Sequence, residues 1–287
     1  MKKMIKIAAM LFVVITTSNA VAQDLPQPSP KAKIEQRIGL TDVTIKYSRP
    51  SVKGRVIFGE LEAYDVVWRA GANLNTLIKF ADNVKIDGKP LEAGSYSLFI
   101  TPTEGDWEVM FNTVIDGWGT GKYEVANNAL SIKVKPTECE MQESLRFSIE
   151  NLSKTKGSLV FSWAKVSLEM VIEVDVETKA WANIDEAIAK VDDETKADVY
   201  RNAAKYSAAS KKRLEEGLKW IKESIKTKES CYSYWVKADV QHASGNNSGA
   251  IVSAKKAIDL GEAKAKESGK TFGYKKRLEE AIADYKK

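Results

Sequence analysis

The chain has 287 residues, of which 44% are apolar and 29% charged, with 17 Gly, 7 Pro, 2 Cys and a single His. That composition excludes a collagen-like, low-complexity or disulfide-rich chain. A net charge of only +5 is too small to argue for a nucleic-acid partner, and none is expected. His242, Cys139 and Cys231 leave little material for nucleophilic or metal chemistry.

In chain order, Lys2, Lys3 and Lys6 precede an apolar run from Ile7 to Ile15 and the small-residue site Ala20-Val21-Ala22. This pattern predicts a secretory signal over residues 1–22, cleaved before Gln23, and hence an exported protein, periplasmic or extracellular. About ten apolar residues are too few to span a bilayer, which needs roughly twenty. No later segment approaches that length, so no membrane span is expected in the mature chain.

Residues 23–175 read as a β-rich domain. Apolar side chains recur at every second position in Val43/Ile45/Tyr47, Tyr96/Leu98/Ile100, Trp107/Val109/Phe111 and Leu130/Ile132/Val134. The alternation returns in Leu145/Phe147/Ile149, Leu159/Phe161/Trp163 and Leu168/Met170/Ile172/Val174. Asp87-Gly88 suits a type I′ hairpin turn, and Glu104-Gly105-Asp106 and Asp116-Gly117 suit tight reversals. Short strands without intervening helices predict an antiparallel β-sandwich or a barrel-like domain.

A linker is predicted over 176–182, followed by an all-α region over 183–287, so the class is α+β in two domains. Helices are expected over Glu186–Lys190, Lys196–Ala209, Lys212–Lys226, Cys231–Ala243, Gly249–Leu260 and Tyr274–Lys286. Gly217, Leu218, Ile221, Ser224 and Ile225 recur 33 residues later as Ala250, Ile251, Ala254, Ala257 and Ile258. Tyr234 to Leu260 resembles a tetratricopeptide repeat, a helix–turn–helix unit near 34 residues long. That resemblance implies a short array able to take a protein or peptide partner. Residues 23–175 carry a net charge of −3 and residues 176–287 a net of +5. In an oxidising compartment Cys139 and Cys231 are either free thiols or a disulfide between the two domains.

Polar residues and glycines gather in two clusters of the β region. One runs Tyr47-Ser48-Arg49-Pro50-Ser51-Val52-Lys53-Gly54-Arg55, and the other Trp68-Arg69-Ala70-Gly71-Ala72-Asn73, closed by Thr76. Together with Ser29-Pro30, Gln36, Gly39, Gly94-Ser95-Tyr96-Ser97-Leu98, Trp107, Asn112 and Trp118-Gly119, they resemble the secreted bacterial domain-of-unknown-function 2911 family over about residues 29–175. Glu62-Ala63-Tyr64-Asp65 and Leu74-Asn75 depart from its pattern. The resemblance implies an exported β-rich domain and assigns no reaction, cofactor or catalytic residue.

Arg49, Lys53, Arg55 and Arg69, with Asn73, are candidate ligands for a carboxylate, phosphate or sulfate, because a guanidinium fork grips such groups at two points. The alternative is that Arg49 and Arg69 pair with Asp65, Glu62 or main-chain carbonyls and lock the loops. Trp118, in Gly117-Trp118-Gly119-Thr120-Gly121, is the candidate for stacking on a sugar. Trp107 and Phe111 belong to the core pattern instead. Carboxylate pairs such as Glu60/Glu62 and Asp106/Glu108 offer acids for glycoside hydrolysis, but strand alternation puts each pair on one solvated face. The leading expectation is a non-catalytic, exported binding or scaffold protein without cofactor or metal, and the alternative is a carboxylate-dependent hydrolase of envelope glycans.

Overall fold

A computed structural model describes residues 25–287. The predicted signal segment lies outside the described residues. The chain divides into two compact units, one holding the β-sheets and the other comprising Ile38–Thr41, Ser153–Thr155 and Val174–Lys287.

The β unit contains ten strands: β1 (Lys31–Ile38), β2 (Thr41–Ser48), β3 (Thr76–Phe80), β4 (Val84–Ile86), β5 (Lys89–Leu91), β6 (Gly94–Thr101), β7 (Trp107–Asn112), β8 (Asn128–Val134), β9 (Thr137–Glu150) and β10 (Lys156–Val174). They form two sheets, ordered β1-β2-β3-β6-β7-β8 and β5-β4-β10-β9. Two separate sheets make this a sandwich and not a closed barrel. Every second residue of β2 faces inward, where Val43, Ile45 and Tyr47 are buried, as the alternation requires. The Tyr47 ring meets Phe147 of the other sheet edge-on at 5.1 Å, and the Phe147 N–H donates to the Tyr47 hydroxyl. Asp87 and Gly88 both take positive φ, +47° and +78°, as a type I′ turn between β4 and β5 demands.

Three features differ from expectation. β3 was not singled out as a strand by the alternation. β10 runs unbroken for 19 residues, where two strands were expected, because Ala164 at φ +53° forms a bulge that shifts the register without ending the strand. The predicted linker is also absent. Helix α1 (Val176–Ala189) starts there, with the Asp175 carboxylate accepting from the Thr178 N–H as N-cap.

The second unit continues with α2 (Lys196–Ser210), α3 (Leu214–Thr227), α4 (Cys231–Ala243), α5 (Asn247–Glu267) and α6 (Lys275–Tyr285). The residues repeating at 33 positions occupy equivalent seams. Gly217, Ile221 and Ser224 are buried on α3, as are Ala250, Ala254 and Ala257 on α5. The Ser224 hydroxyl donates to the Ala197 carbonyl at 2.7 Å, which satisfies the one polar group buried at that seam position. No helix among the described residues is long and apolar enough to cross a membrane. Cys139 of the β unit and Cys231 of the helical unit are each free cysteines among the described residues.

Candidate functional site

The candidate site is built on the loops of the β unit between residues 48 and 76 and between 113 and 123. Four non-glycine residues of the first stretch, Lys53, Asp65, Ala70 and Asn73, hold positive φ between +50° and +62°. Such conformations cost on the order of 1 kcal/mol each and persist only where the surroundings fix them.

Arg69 shows how that fixing works. The preceding residue, Trp68, exchanges two backbone hydrogen bonds of 2.8 Å with Ile100, taking the place of β3 beside β6. Its ring is buried, stacked on Trp163 at 5.6 Å, and its indole N–H donates to the Gly71 carbonyl at 3.0 Å. On the other side the Thr76 hydroxyl donates to the Ala70 carbonyl at 2.8 Å. The backbone on both flanks of Arg69 is therefore pinned.

The Arg69 side chain, by contrast, makes no hydrogen bond or ion pair among the described residues, and its Nε is buried. Its guanidinium lies 5.6 Å from the Trp118 ring centre, a cation–π arrangement. Trp118 is 69% exposed and is held through a backbone bridge to Leu74. Gly119, at φ +70°, follows it, with a backbone that leaves the guanidinium room.

Glu62 completes the cluster, and here the structure corrects the solvated-face expectation. Residues 57–62 turn back on themselves through Glu62 N–H to Ile57 O and Gly59 N–H to Glu62 O, both 2.9 Å, so strand alternation does not apply. Burial pushes the Glu62 carboxyl up to about 7, although Arg69 and, more weakly, Arg55 pull it down. The folded state thus keeps a proton that the unfolded chain releases near 4.5. Stability is expected to fall as pH rises between these values and to level off above them. After discounting for solvent screening the loss is roughly 1–2 kcal/mol. Denaturant titrations from about pH 5 to about pH 8 should show this slope in the wild type and a flatter profile in Glu62→Gln; parallel profiles would contradict the assignment.

The other sequence-nominated residues divide between two neighbourhoods. Arg49 donates from Nε to the Leu145 carbonyl at 2.9 Å, and Arg55 donates to the Val52 and Ser51 carbonyls. The Lys53 backbone N–H donates to Glu143. The Arg49 side chain and the Lys53 backbone therefore tie residues 49–55 to β9, and Arg55 ties them to their own turn. Asn73 donates to the Ser29 carbonyl and Ser48 hydroxyl and lines a different cavity, of about 390 Å³, beside Lys31, Lys33 and Lys46. Of the six nominated residues, only Arg69 and Trp118 are in direct contact, with Arg55 linked to them through the field on Glu62. From the sequence, Glu62 is a counter-ion for the arginines or one acid of a solvated Glu60/Glu62 pair.

The family described as Protein of unknown function (DUF2911) matches residues 29–172. The chain belongs to the DUF2911 family. The DUF2911 region spans both sheets and every residue of the Glu62, Arg69 and Trp118 cluster. Comparison with curated proteins and with solved structures returned no match. Among the described residues no group of three or more His, Cys, Asp or Glu is placed to hold a metal ion.

Proposed function

We propose that this DUF2911 protein is an exported binding protein whose β unit holds an acidic saccharide at Arg69 and Trp118. The observation that carries the reading is the Arg69 guanidinium, which is anchored on both flanks yet has no acceptor. A carboxylate or phosphate on the ligand would supply a two-point acceptor, and the open face of Trp118 would take the sugar ring. Export is supported by the basic, apolar and small-residue order of the first 22 residues. The helices from α2 to α5 are read as two tetratricopeptide-like pairs, supported by the 33-residue offset of their buried small residues.

Calorimetric titration of the full chain with glucuronate, glucose and inorganic phosphate tests the site. Glucuronate is expected to bind and glucose to bind at least about tenfold more weakly, since it lacks the charge-assisted fork. Arg69→Ala and Arg69→Lys should both weaken glucuronate by about tenfold or more, because lysine cannot reproduce the planar pair of donors. Absence of binding by both anions, or unchanged binding in Arg69→Ala, would overturn the reading.

Glycan hydrolysis gains one supporting observation, the Glu62 carboxyl near neutrality, which suits a general acid. The charged groups acting most strongly on it are Arg69 and Arg55, and a glycosidase needs a second carboxyl at a set separation, which no observation here supplies. Binding is accordingly the preferred reading.

A further inference from the structure

The helical unit contains a cavity whose chemistry is independent of the β-unit reading. It has a volume of about 420 Å³ and lies between Lys205 of α2, the first turns of α4, the segment before α6, and α6 itself. Its walls are aromatic. Trp235 meets Tyr232 edge-on at 6.2 Å and Tyr274 at 5.8 Å, and Tyr274 meets Phe272 at 6.2 Å. The Phe272 ring is seated directly on the bare backbone of Gly261 on α5, in the space a Cβ would fill.

Two cations of the cavity lining stand at this aromatic wall, while a third, Arg201, lies 5.1 Å from the Tyr232 ring centre but pairs with Asp198 at 2.7 Å. The Arg277 guanidinium lies 5.3 Å from the Trp235 ring centre and the Lys205 ammonium 5.6 Å from that of Tyr232. Neither makes an ion pair or a hydrogen bond among the described residues, unlike Lys275, which pairs with Glu262 at 2.6 Å. Asp239 also lines the cavity, but its carboxylate already accepts the Tyr285 hydroxyl at 2.7 Å and is largely buried. A cationic guest would meet two resident cations for one engaged acid. An anion meets two cations that make no ion pair and reach Asp239 only through their longer-range field, beside flat apolar surface.

We propose that this cavity binds a carboxylate carried on an aromatic body, with the acid group between Arg277 and Lys205 and the ring against Trp235, Tyr274 and Phe272. The same chemistry is offered by a free aromatic acid and by the C-terminal residue of a polypeptide. The full chain should be titrated calorimetrically with N-acetyltryptophan, with its neutral amide, and with a six-residue peptide ending in tryptophan as free acid. The free acid is expected to bind at least about tenfold more tightly than the amide, since only it can form charge-assisted bonds. Arg277→Ala, at an exposed position, should remove most of that difference while the helical circular dichroism stays unchanged. Gly261→Ala drives the Phe272 ring from the wall and should weaken acid and amide alike. A peptide binding more tightly than N-acetyltryptophan supports a polypeptide terminus as the source, and equal binding supports a free acid. Equal affinity for acid and amide, unchanged binding in Arg277→Ala, or no binding of any probe would overturn the proposal.

Discussion

Trp68→Ala is expected to destabilise the β unit by about 3–5 kcal/mol, the range for deleting a buried aromatic ring. Trp68 is 4% exposed, stacked on Trp163 and edge-on to Phe58 and Phe161 at 6.3 and 6.0 Å. The rings around it come from β10 and from the 57–62 turn and are fixed by their own packing, so they cannot close fully over the void. The Gly71 carbonyl also loses its indole donor. Trp68→Phe separates the two effects, retaining most of the ring while removing the N–H, and should cost less, about 1–2 kcal/mol. Denaturant unfolding followed by β-sheet circular dichroism measures both variants. A loss below about 1 kcal/mol for alanine would mean that the aromatic cluster does not hold the Arg69 loop in place.

Gly217→Val should be the corresponding lesion in the helical unit, costing about 2–3 kcal/mol through overpacking. A Cβ at Gly217 would lie 2.5 Å from the Ser207 hydroxyl oxygen and 2.9 Å from its Cβ, with Val240 at 3.4 Å. Ser207 has little freedom to yield, since its hydroxyl donates to the Lys212 and Arg213 carbonyls and closes the turn between α2 and α3. Gly217→Ala meets the same obstacle with one methyl and recovers about 1 kcal/mol of helix propensity, so its net effect should be smaller. The equivalent position in the next helix pair already carries alanine, Ala250, fully buried. Helical circular dichroism during denaturation reads the result. Wild-type stability in Gly217→Val would show that α2 and α3 are not in close contact there.

The periodicities carried most of the fold. Inward residues of β2, β6, β7 and β10 are buried as alternation required, as are Leu145 and Phe147 of β9 but not Ile149, and all five helices from α2 onward begin within about two residues of their expected starts. The start of α1 was missed because Val176 and Thr178 are β-branched and read as strand-like, while the decisive signal was the Asp175 cap. The unbroken course of β10 is hidden because register shifts on both sides of Ala164 invert the alternation midway. The site was less legible. Arg49, Arg55 and Arg69 are alike in composition, and only the fold separates those serving main-chain carbonyls from the one without an acceptor. Period-two alternation puts Glu62 on a solvated face, and this fails because residues 57–62 form a turn, where neighbours at two residues no longer share a face.

The most direct test of the Arg69 site is the NMR signal of its Nε–H, assigned by its loss in Arg69→Lys and followed while glucuronate is added to the full chain. A saturable shift of that resonance, accompanied by the Trp118 indole signal and absent with glucose, is the expected result. A resonance that stays fixed while glucuronate binds elsewhere, or does not bind, would contradict the account.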